Sequence, residues 1–375
     1  MRFDLTEEQK ILAKNARDYF SGRYTREALR GFISKPAFDR ARWQEIGGQG
    51  WLAALIEEKY GGLGLKLGDI FPLLREAGRT LVPLPLWEST VIAPLLLKEQ
   101  KDERLRRQIL AALAEGRAMA TVGLYEEADT IEPVRLSLRA RREADEYILE
   151  GEKSIVAFGA EADWLVVLAR SDGGLTLFVV AKDTPGIKIT DVPVTDVTYR
   201  FAKVEFKGVR ARAANLIGEE GQAAAQLARV LPVAQVGLCA EMLGGCDRVL
   251  EMCVEYGKQR VQFKRPIGSF QAIQHKLADM FVKASVAQGL AYGAVKEVDD
   301  GRSDGLVVKL AKAVCNDAYR FIAAEGIQAH GGIGFTWEHD MHLYFKRALR
   351  YRNTLGSSPR LFYEVGRTLA TGAAA

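Results

Sequence analysis

The strongest constraint on the fold is a change in the spacing of apolar residues along the chain. Over residues 1–115 and 216–375, apolar side chains recur every three or four positions, as on one face of a helix. Between these stretches, short β-branched runs predict strands, and the pair Gly173–Gly174 predicts a hairpin turn. The chain is therefore expected to have an α+β multidomain fold, with helical domains at 1–115 and 216–375 and a β domain at 116–215.

Local signals predict where two helices begin and end. Thr6 precedes two glutamates and is expected to cap the first helix, because its hydroxyl can accept a hydrogen bond from a free backbone N–H. Gly326 follows a long helical pattern and is expected to end that helix. The stretch 225–259 predicts another long helix, in which Pro232 is the place for a kink.

Charge and cysteine content narrow the classes of function. The 52 basic and 48 acidic residues give a net charge of only +4, and no basic run is typical of a nucleic-acid-binding arm. No apolar run reaches membrane-spanning length, and the acidic N-terminal stretch is not typical of a signal peptide. The four cysteines, Cys239, Cys246, Cys253 and Cys315, form no CxxC pair and are expected to be buried thiols in a reducing cytoplasm.

Two stretches could carry chemistry. "IQAHGGIGFTWEHDMHLYFKR" (327–347) holds His339 and His342 three positions apart on a presumed helix, but HExxH is absent and no metal site is predicted. Its glycines follow a helix rather than a strand, which does not fit a Rossmann or P-loop fingerprint. In "YGKQRVQFKRPIGSFQAIQHKLADM" (256–280), Arg260 at a helix break could bind a phosphate. An ordinary helix–loop–helix with a solvated basic turn explains this second stretch equally well.

Taken together, the two stretches resemble the acyl-CoA dehydrogenase family, and the resemblance extends over nearly the whole chain. "RVQFKRPIGSFQAIQHKLADM" is similar to the family's R-x-x-F-G-x-x-I-x-x-F-Q, and "QAHGGIGF" to its Q-x-x-G-G-x-G-F. "EEKYGGLGL" and "VEFKGVRARAANLIGEEGQ" resemble a loop of its N-terminal domain and the end of its β domain. The resemblance implies an all-α N-terminal domain, a β-barrel-like middle domain and a C-terminal four-helix bundle.

The resemblance also implies FAD as the cofactor. The residues that correspond to contacts with its ADP half are Arg260, Phe263, Gln271, Gln328, Gly331 and Gly332. An arginine matches the charge of the pyrophosphate, and glycines let backbone amides come close to it. In the family the glycine segment usually reaches the FAD of a neighbouring subunit, so His339 and His342 are expected to be helix-surface or interface residues.

Members of the family oxidise an acyl-CoA between its α and β carbons: a carboxylate takes the α-proton and the flavin takes a hydride. Three elements of this machinery differ here. The usual catalytic glutamate falls by spacing on Gly356, and the T-E-P-x-x-G-S-D loop is replaced by "GLYEEADTIEPVRL". The W-[IV]-[ST]-N element reads "SIVAFG", with Ile155 for the aromatic residue and Ala157 for the hydroxyl residue.

Glu241 is the candidate for a replacement base. Some relatives carry their glutamate on the helix before Arg260, but by spacing that position is Ala234. Glu241 lies on the apolar face of the same helix, and burial would raise its pKa towards the range that a base needs at neutral pH. The alternative is a structural role, in which Glu241 pairs with an arginine or lysine of another helix.

The predicted function is therefore FAD-dependent dehydrogenation of an acyl-CoA, in fatty acid or steroid side-chain degradation. Electrons would pass to an electron-transfer flavoprotein. The chain is expected to form a dimer or tetramer, either with copies of itself or with a second acyl-CoA dehydrogenase-like chain. Two alternatives stay open: a catalytically degenerate partner subunit, and a binding protein that keeps only the fold.

Overall fold

A computed structural model describes residues 5–126, 136–301 and 305–371. The N-terminal helices are α1 (Glu7–Arg23), α2 (Arg26–Ser34), α3 (Arg40–Gly48), α4 (Leu67–Arg79), α5 (Ala93–Leu97) and α6 (Glu103–Ala114). A π-helical turn, Glu88–Ile92, leads directly into α5. Thr6 caps α1 as predicted, since its hydroxyl accepts from the backbone N–H of Gln9 and the Gln9 side chain accepts from the backbone of Thr6.

The middle of the chain forms one mixed, eight-stranded sheet. Its strands are β1 (Ala120–Gly123), β2 (Arg139–Glu143), β3 (Glu146–Ala157), β4 (Trp164–Ser171), β5 (Gly174–Ala181), β6 (Ile187–Val192), β7 (Phe201–Arg212) and β8 (Leu216–Ile217). The order is β6-β7-β3-β2-β4-β5-β8, with β1 parallel to β4. The predicted hairpin is confirmed: β4 and β5 are antiparallel, and Ser171 pairs with Gly174 across a two-residue turn.

The C-terminal region is again helical, which confirms the predicted order of helical, β and helical regions. Its helices are α7 (Ala223–Gln259), α8 (Gln271–Asp299), α9 (Leu306–His330), α10 (Gly332–Phe335), α11 (Met341–Asn353) and α12 (Ser358–Thr371). A short hairpin of β9 (Val261–Gln262) and β10 (Arg265–Pro266) separates α7 from α8. Helix α9 packs against α7, α8 and α11, α7 also packs against α8 and α11, and α7 continues through Pro232.

The prediction that Gly326 ends a helix is wrong. Helix α9 continues to His330, and Gly331, with a φ of 63°, follows as its C-cap. Gly326 is buried in the packed interface, where an added Cβ would lie 2.7 Å from Met341 Sδ and from Val249 Cγ1. Its small size is therefore required by helix packing rather than by helix termination.

Close approach of α4 to α7 joins the N-terminal helices to the C-terminal bundle. A Cβ at Gly78 would overlap the backbone of Glu241, and a Cβ at Gly244 would overlap the carbonyl oxygen of Arg75. The same helix α7 carries three of the four cysteines, and all four are buried free thiols, as predicted. Among the described residues, α7 is also the one helix long and apolar enough to cross a bilayer, and more than half of that apolar window is buried in the fold.

Candidate active site

A cavity of about 620 Å³ lies where the three regions meet. Much of its wall is apolar and comes from the π-helical turn, the sheet and the end of α11: Trp87, Ile92, Leu124, Ile155, Phe201 and Leu355. Ile155 and Ala157, which replace the family's ring-side residues, line it. Gly356, the predicted site of the missing glutamate, does not line it, whereas its neighbour Leu355 does. The loop after α11 therefore presents a hydrocarbon side chain, and no carboxyl group, to the cavity.

Glu88 is a buried carboxyl group in the cavity wall that the sequence reasoning missed. Its side chain lies on the π-helical turn, is only 2% exposed and accepts a hydrogen bond from the hydroxyl of Tyr199. Burial raises the pKa of Glu88 from 4.5 to about 7, although the nearby Arg350 and the Tyr199 hydrogen bond oppose the rise. The available signal was a lone acid inside the apolar run "LVPLPLWESTVIAPLLL".

Beside Glu88, two arginines share one buried aspartate. Asp196 Oδ2 accepts from Arg347 Nε at 2.7 Å and from Arg350 Nε at 2.9 Å, and the Thr198 hydroxyl also donates to Asp196. Burial alone would raise the pKa of Asp196, but the two guanidinium groups outweigh it and hold the pKa below its ordinary value. Asp196 and Arg350 line the cavity, so this ion-pair cluster forms one of its walls.

Glu241 lies in the same buried cluster. Its carboxylate accepts a hydrogen bond from the hydroxyl of Tyr351, and burial raises its pKa while Arg347 opposes the rise. The described residues that line the cavity do not include Glu241. The structure thus places this carboxyl group on α7 against side chains of α11.

The two stretches predicted to contact the ADP half of FAD meet at one end of the helical bundle. The ring of Tyr256 near the end of α7 stacks on His330 at the end of α9, with centroids 4.4 Å apart, and Gly257 packs against Gly268 just before α8. The predicted residues at this end are all solvent-exposed: Arg260, Phe263, Gln271, Gln328, Gly331 and Gly332. The structure shows that these side chains are accessible, and the Tyr256–His330 contact brings the end of α7 close to the end of α9.

The geometry of these residues is compatible with a bound phosphate group. Among the described residues the Arg260 guanidinium has no partner, and it follows the last turn of α7. No neighbouring side chain lies within 4 Å of a Cβ built on Gly331 or Gly332, so a ligand can approach there, although the Gly331 N–H already donates to the Gln328 carbonyl. Phe263 is 86% exposed in the β9–β10 turn, where Phe263 and Lys264 both have positive φ values.

The histidines occupy positions that differ from those predicted. His339 precedes α11 and accepts from the backbone N–H of Met341, so it does not share a helix with His342. His342 is 6% exposed and packs edge-on against Trp337 within one chain, so the helix-surface prediction is wrong for it. Burial lowers the pKa of His342 to about 4, which keeps it neutral near pH 7.

The segment "GLYEEADTIEPVRL" is covered only in part, because residues 127–135 lie outside the described residues. Glu126, at its start, forms a buried ion pair of 2.7 Å with Lys153 and also lines the cavity. Burial lowers the pKa of Lys153 to about 8, against the pull of Glu126. Within the described ranges, no group of three His, Cys, Asp or Glu side chains is placed to hold a metal ion.

Comparison with known proteins identifies the family. Three family models match in order: acyl-CoA dehydrogenase N-terminal domain (6–117), middle domain (126–209) and C-terminal domain (220–369). The acyl-CoA dehydrogenase IpdE2 of Mycobacterium tuberculosis is 32% identical over 344 residues, which is 91% of each chain.

Solved structures of relatives superpose on nearly the whole chain. Butyryl-CoA dehydrogenase from Megasphaera elsdenii superposes with a TM-score of 0.91 at 26% identity, covering 99% of this chain and 100% of that one. The ChsE4–ChsE5 complex from Mycobacterium tuberculosis contains a chain with a TM-score of 0.90 at 27% identity, covering 99% of both. The predicted family is confirmed: the chain belongs to the acyl-CoA dehydrogenase family of flavoprotein oxidoreductases.

Proposed function

We propose that this chain takes part in FAD-dependent α,β-dehydrogenation of an acyl-CoA thioester, and that it works together with a second acyl-CoA dehydrogenase-like chain. One contrast carries the proposal. The residues predicted to contact the ADP half of FAD are present and solvent-exposed, whereas Leu355 and Gly356 present no carboxyl group where the family places its base. In this proposal electrons pass onward to an electron-transfer flavoprotein.

The roles of the residues follow from their chemistry. Arg260 would pair with the pyrophosphate, and the space around Gly331 and Gly332 would let the Gly332 amide approach it, since the Gly331 amide already donates to Gln328. Bound FAD supplies a hydride acceptor for the β-carbon. The apolar part of the cavity would bury the acyl chain and exclude water from the reacting carbons.

Two carboxyl groups of this chain are candidates for taking the α-proton. Glu241 is the candidate from the sequence, and its raised pKa suits a base, but Tyr351 already donates to it. Glu88 lines the cavity and has a pKa of about 7, which also suits proton transfer at neutral pH. The third candidate for the base is a carboxyl group of the second chain.

The first experiment tests cofactor and partner. The chain is purified alone and together with a co-expressed second acyl-CoA dehydrogenase-like chain, and flavin absorbance near 450 nm is followed on adding acyl-CoA thioesters. We expect the two-chain complex to be yellow and to be bleached. A yellow single chain that is bleached alone would refute the need for a partner. A yellow complex that no acyl-CoA bleaches would instead refute the proposal and support the alternative of a binding protein that keeps only the fold.

Variants locate the cofactor and the base. Arg260→Ala should weaken FAD binding about 10- to 100-fold, because a charge-assisted hydrogen bond contributes about 1.5–3 kcal/mol. Lys188→Ala, at an exposed pair on β6, is the matched control. Single-turnover bleaching of the complex is then measured for Glu88→Gln and Glu241→Gln. A slow step in one variant assigns the base to that residue, and unchanged bleaching in both assigns it to the second chain.

A further inference from the structure

Arg350 presents unused hydrogen-bond donors at the wall of the cavity. Its Nε donates to Asp196, but among the described residues neither terminal guanidinium nitrogen, Nη1 nor Nη2, has a hydrogen-bond partner. Nη2 is also shielded from solvent, so water does not satisfy it. An unpaired buried donor is unfavourable by about 1–3 kcal/mol, more when it is charged, and native structures seldom keep one without a reason.

The guanidinium group is fixed in place. It stacks over the ring of Tyr199, 3.8 Å from the centroid, and lies 4.2 Å from the ring centroid of Tyr351. Asp196 holds its Nε, and the whole side chain is only 11% exposed. These contacts hold the guanidinium group at the cavity wall, so an acceptor in the cavity is within reach of its free N–H groups.

The charges around Arg350 leave room for an acceptor. Asp196 is shared between Arg350 and Arg347, so two guanidinium groups face one fully ionised carboxylate. Burial raises the pKa of Glu88 to about 7 and also raises that of Glu241, and Glu126, on the same cavity, is already paired with Lys153. An additional oxygen acceptor would therefore complete the hydrogen bonds of this cluster.

We propose that Arg350 is a specificity-determining residue that donates a hydrogen bond to a ketone or carboxylate oxygen on the acyl group, beyond the thioester. The substrate class is then an acyl-CoA that combines hydrocarbon with an oxygen acceptor, rather than a plain fatty acyl-CoA. The cavity fits this combination, since Trp87, Ile92 and Leu124 offer apolar surface apart from the arginine. This inference rests on the proposed function.

A plain alkyl chain is disfavoured for a physical reason. It would seal the cavity while leaving the Nη1 and Nη2 groups without an acceptor, and sites built around a polar group discriminate against analogues that lack it. From the strength of one hydrogen bond to a charged group, we expect the wild-type protein to bind an oxygen-bearing acyl-CoA about 10- to 100-fold more tightly than its alkyl counterpart.

The test measures dissociation constants by titration calorimetry of the FAD-loaded protein, with its partner chain present. Three acyl-CoA thioesters with equal numbers of acyl heavy atoms are compared: a saturated alkyl chain, an oxo chain and a terminal carboxyl chain. Each is titrated into wild type, Arg350→Gln and Arg350→Lys. The control is Arg352→Gln, on the same helix but outside the cavity lining.

The expected result is that Arg350→Gln loses about 10-fold or more of the preference for one oxygen-bearing thioester, with little change for the alkyl one. Arg350→Lys should keep part of the preference, since it keeps a cationic donor, and serves if the glutamine variant does not fold. The thioester whose affinity falls in Arg350→Gln, oxo or carboxyl, identifies the kind of oxygen that accepts the hydrogen bond. Equal weakening for all three thioesters, or a wild-type preference for the alkyl chain, overturns the inference. Failure of every thioester to bind would refute the proposed function instead.

Discussion

The substitution Asp196→Asn tests whether the buried ion-pair cluster holds the β region against the C-terminal helices. Asp196 precedes β7, and its two arginine partners lie on α11, 151 and 154 positions further along the chain. Both contacts are short, at 2.7 and 2.9 Å to Nε, and Asp196 is only 2% exposed. Asparagine has nearly the same shape but no charge, so the two guanidinium groups would stay buried without a counter-charge.

The expected loss follows from this burial. Removing one partner of a buried ion pair lowers the free energy of unfolding by about 3–5 kcal/mol, because the remaining charge is left uncompensated. Asparagine keeps one acceptor oxygen, so we expect a loss of about 3 kcal/mol at pH 7. The measurement is equilibrium urea unfolding, followed by circular dichroism and by tryptophan fluorescence, with coincident transitions required before a free energy is assigned.

The pH dependence gives a second, independent readout. Because the pKa of Asp196 in the folded chain lies below its ordinary value of 3.8, its contribution to stability is complete above that value. The contribution disappears as the pH falls through the lower folded-state pKa. The difference between wild type and Asp196→Asn should therefore be constant from pH 7 to about 5 and should narrow below about pH 4.

Asp191→Asn is the matched control, since Asp191 forms an exposed pair with Arg200 at 2.9 Å and its side chain is 63% exposed. Such surface pairs contribute about 0–1 kcal/mol. A loss in Asp196→Asn no larger than that in Asp191→Asn would refute the reasoning. So would a difference from wild type that stays unchanged down to pH 3.

Three further substitutions test other parts of the structure. Gly244→Ala should lower the free energy of unfolding by about 3 kcal/mol in urea titrations, because its Cβ would overlap the Arg75 carbonyl, whereas Gly22→Ala, with open space around it, should not be destabilising. Lys264→Gly should raise the free energy of unfolding by about 1 kcal/mol, because Lys264 has a φ of 64°, which is strained for a residue with a Cβ. An unchanged urea midpoint would contradict this strain. Glu88 has a raised pKa, so its contribution to stability is complete below 4.5 and is lost as the pH rises through about 7. In Glu88→Gln this fall in stability with rising pH should be absent. If the melting temperatures of variant and wild type change in parallel from pH 5 to 8, the expectation is contradicted.

Patterns confined to neighbouring residues were predictable from the sequence. The change of apolar spacing indicated the order of helical, β and helical regions, and the glycine pair between β4 and β5 indicated their hairpin. The cap at Thr6 and the burial of the four cysteines followed in the same way. The hairpin and the helix cap depend on contacts within one element or one turn, and the buried cysteines follow the apolar face of their helices, so the local order of residue types is enough to predict them.

Other signals were local in form but depended on distant packing. Gly326 looked like a helix end, yet it is small because Met341 and Val249 pack against it. His342 looked like a surface residue on a polar stretch, yet it is buried beneath Trp337. A pattern of residue types does not distinguish a glycine required by backbone conformation from one required by a neighbouring helix.

By itself, the sequence determined the class of fold, the family and the set of residues proposed to hold the ADP half of FAD, because these depend on local periodicity and short motifs. Only the tertiary structure revealed the cavity and its charged wall. Tyr199 reaches Glu88 across 111 positions, and Arg347 reaches Asp196 across 151. Such pairs become stable only after the regions pack together and remove water, so their pKa values and free donors are properties of the packed chain.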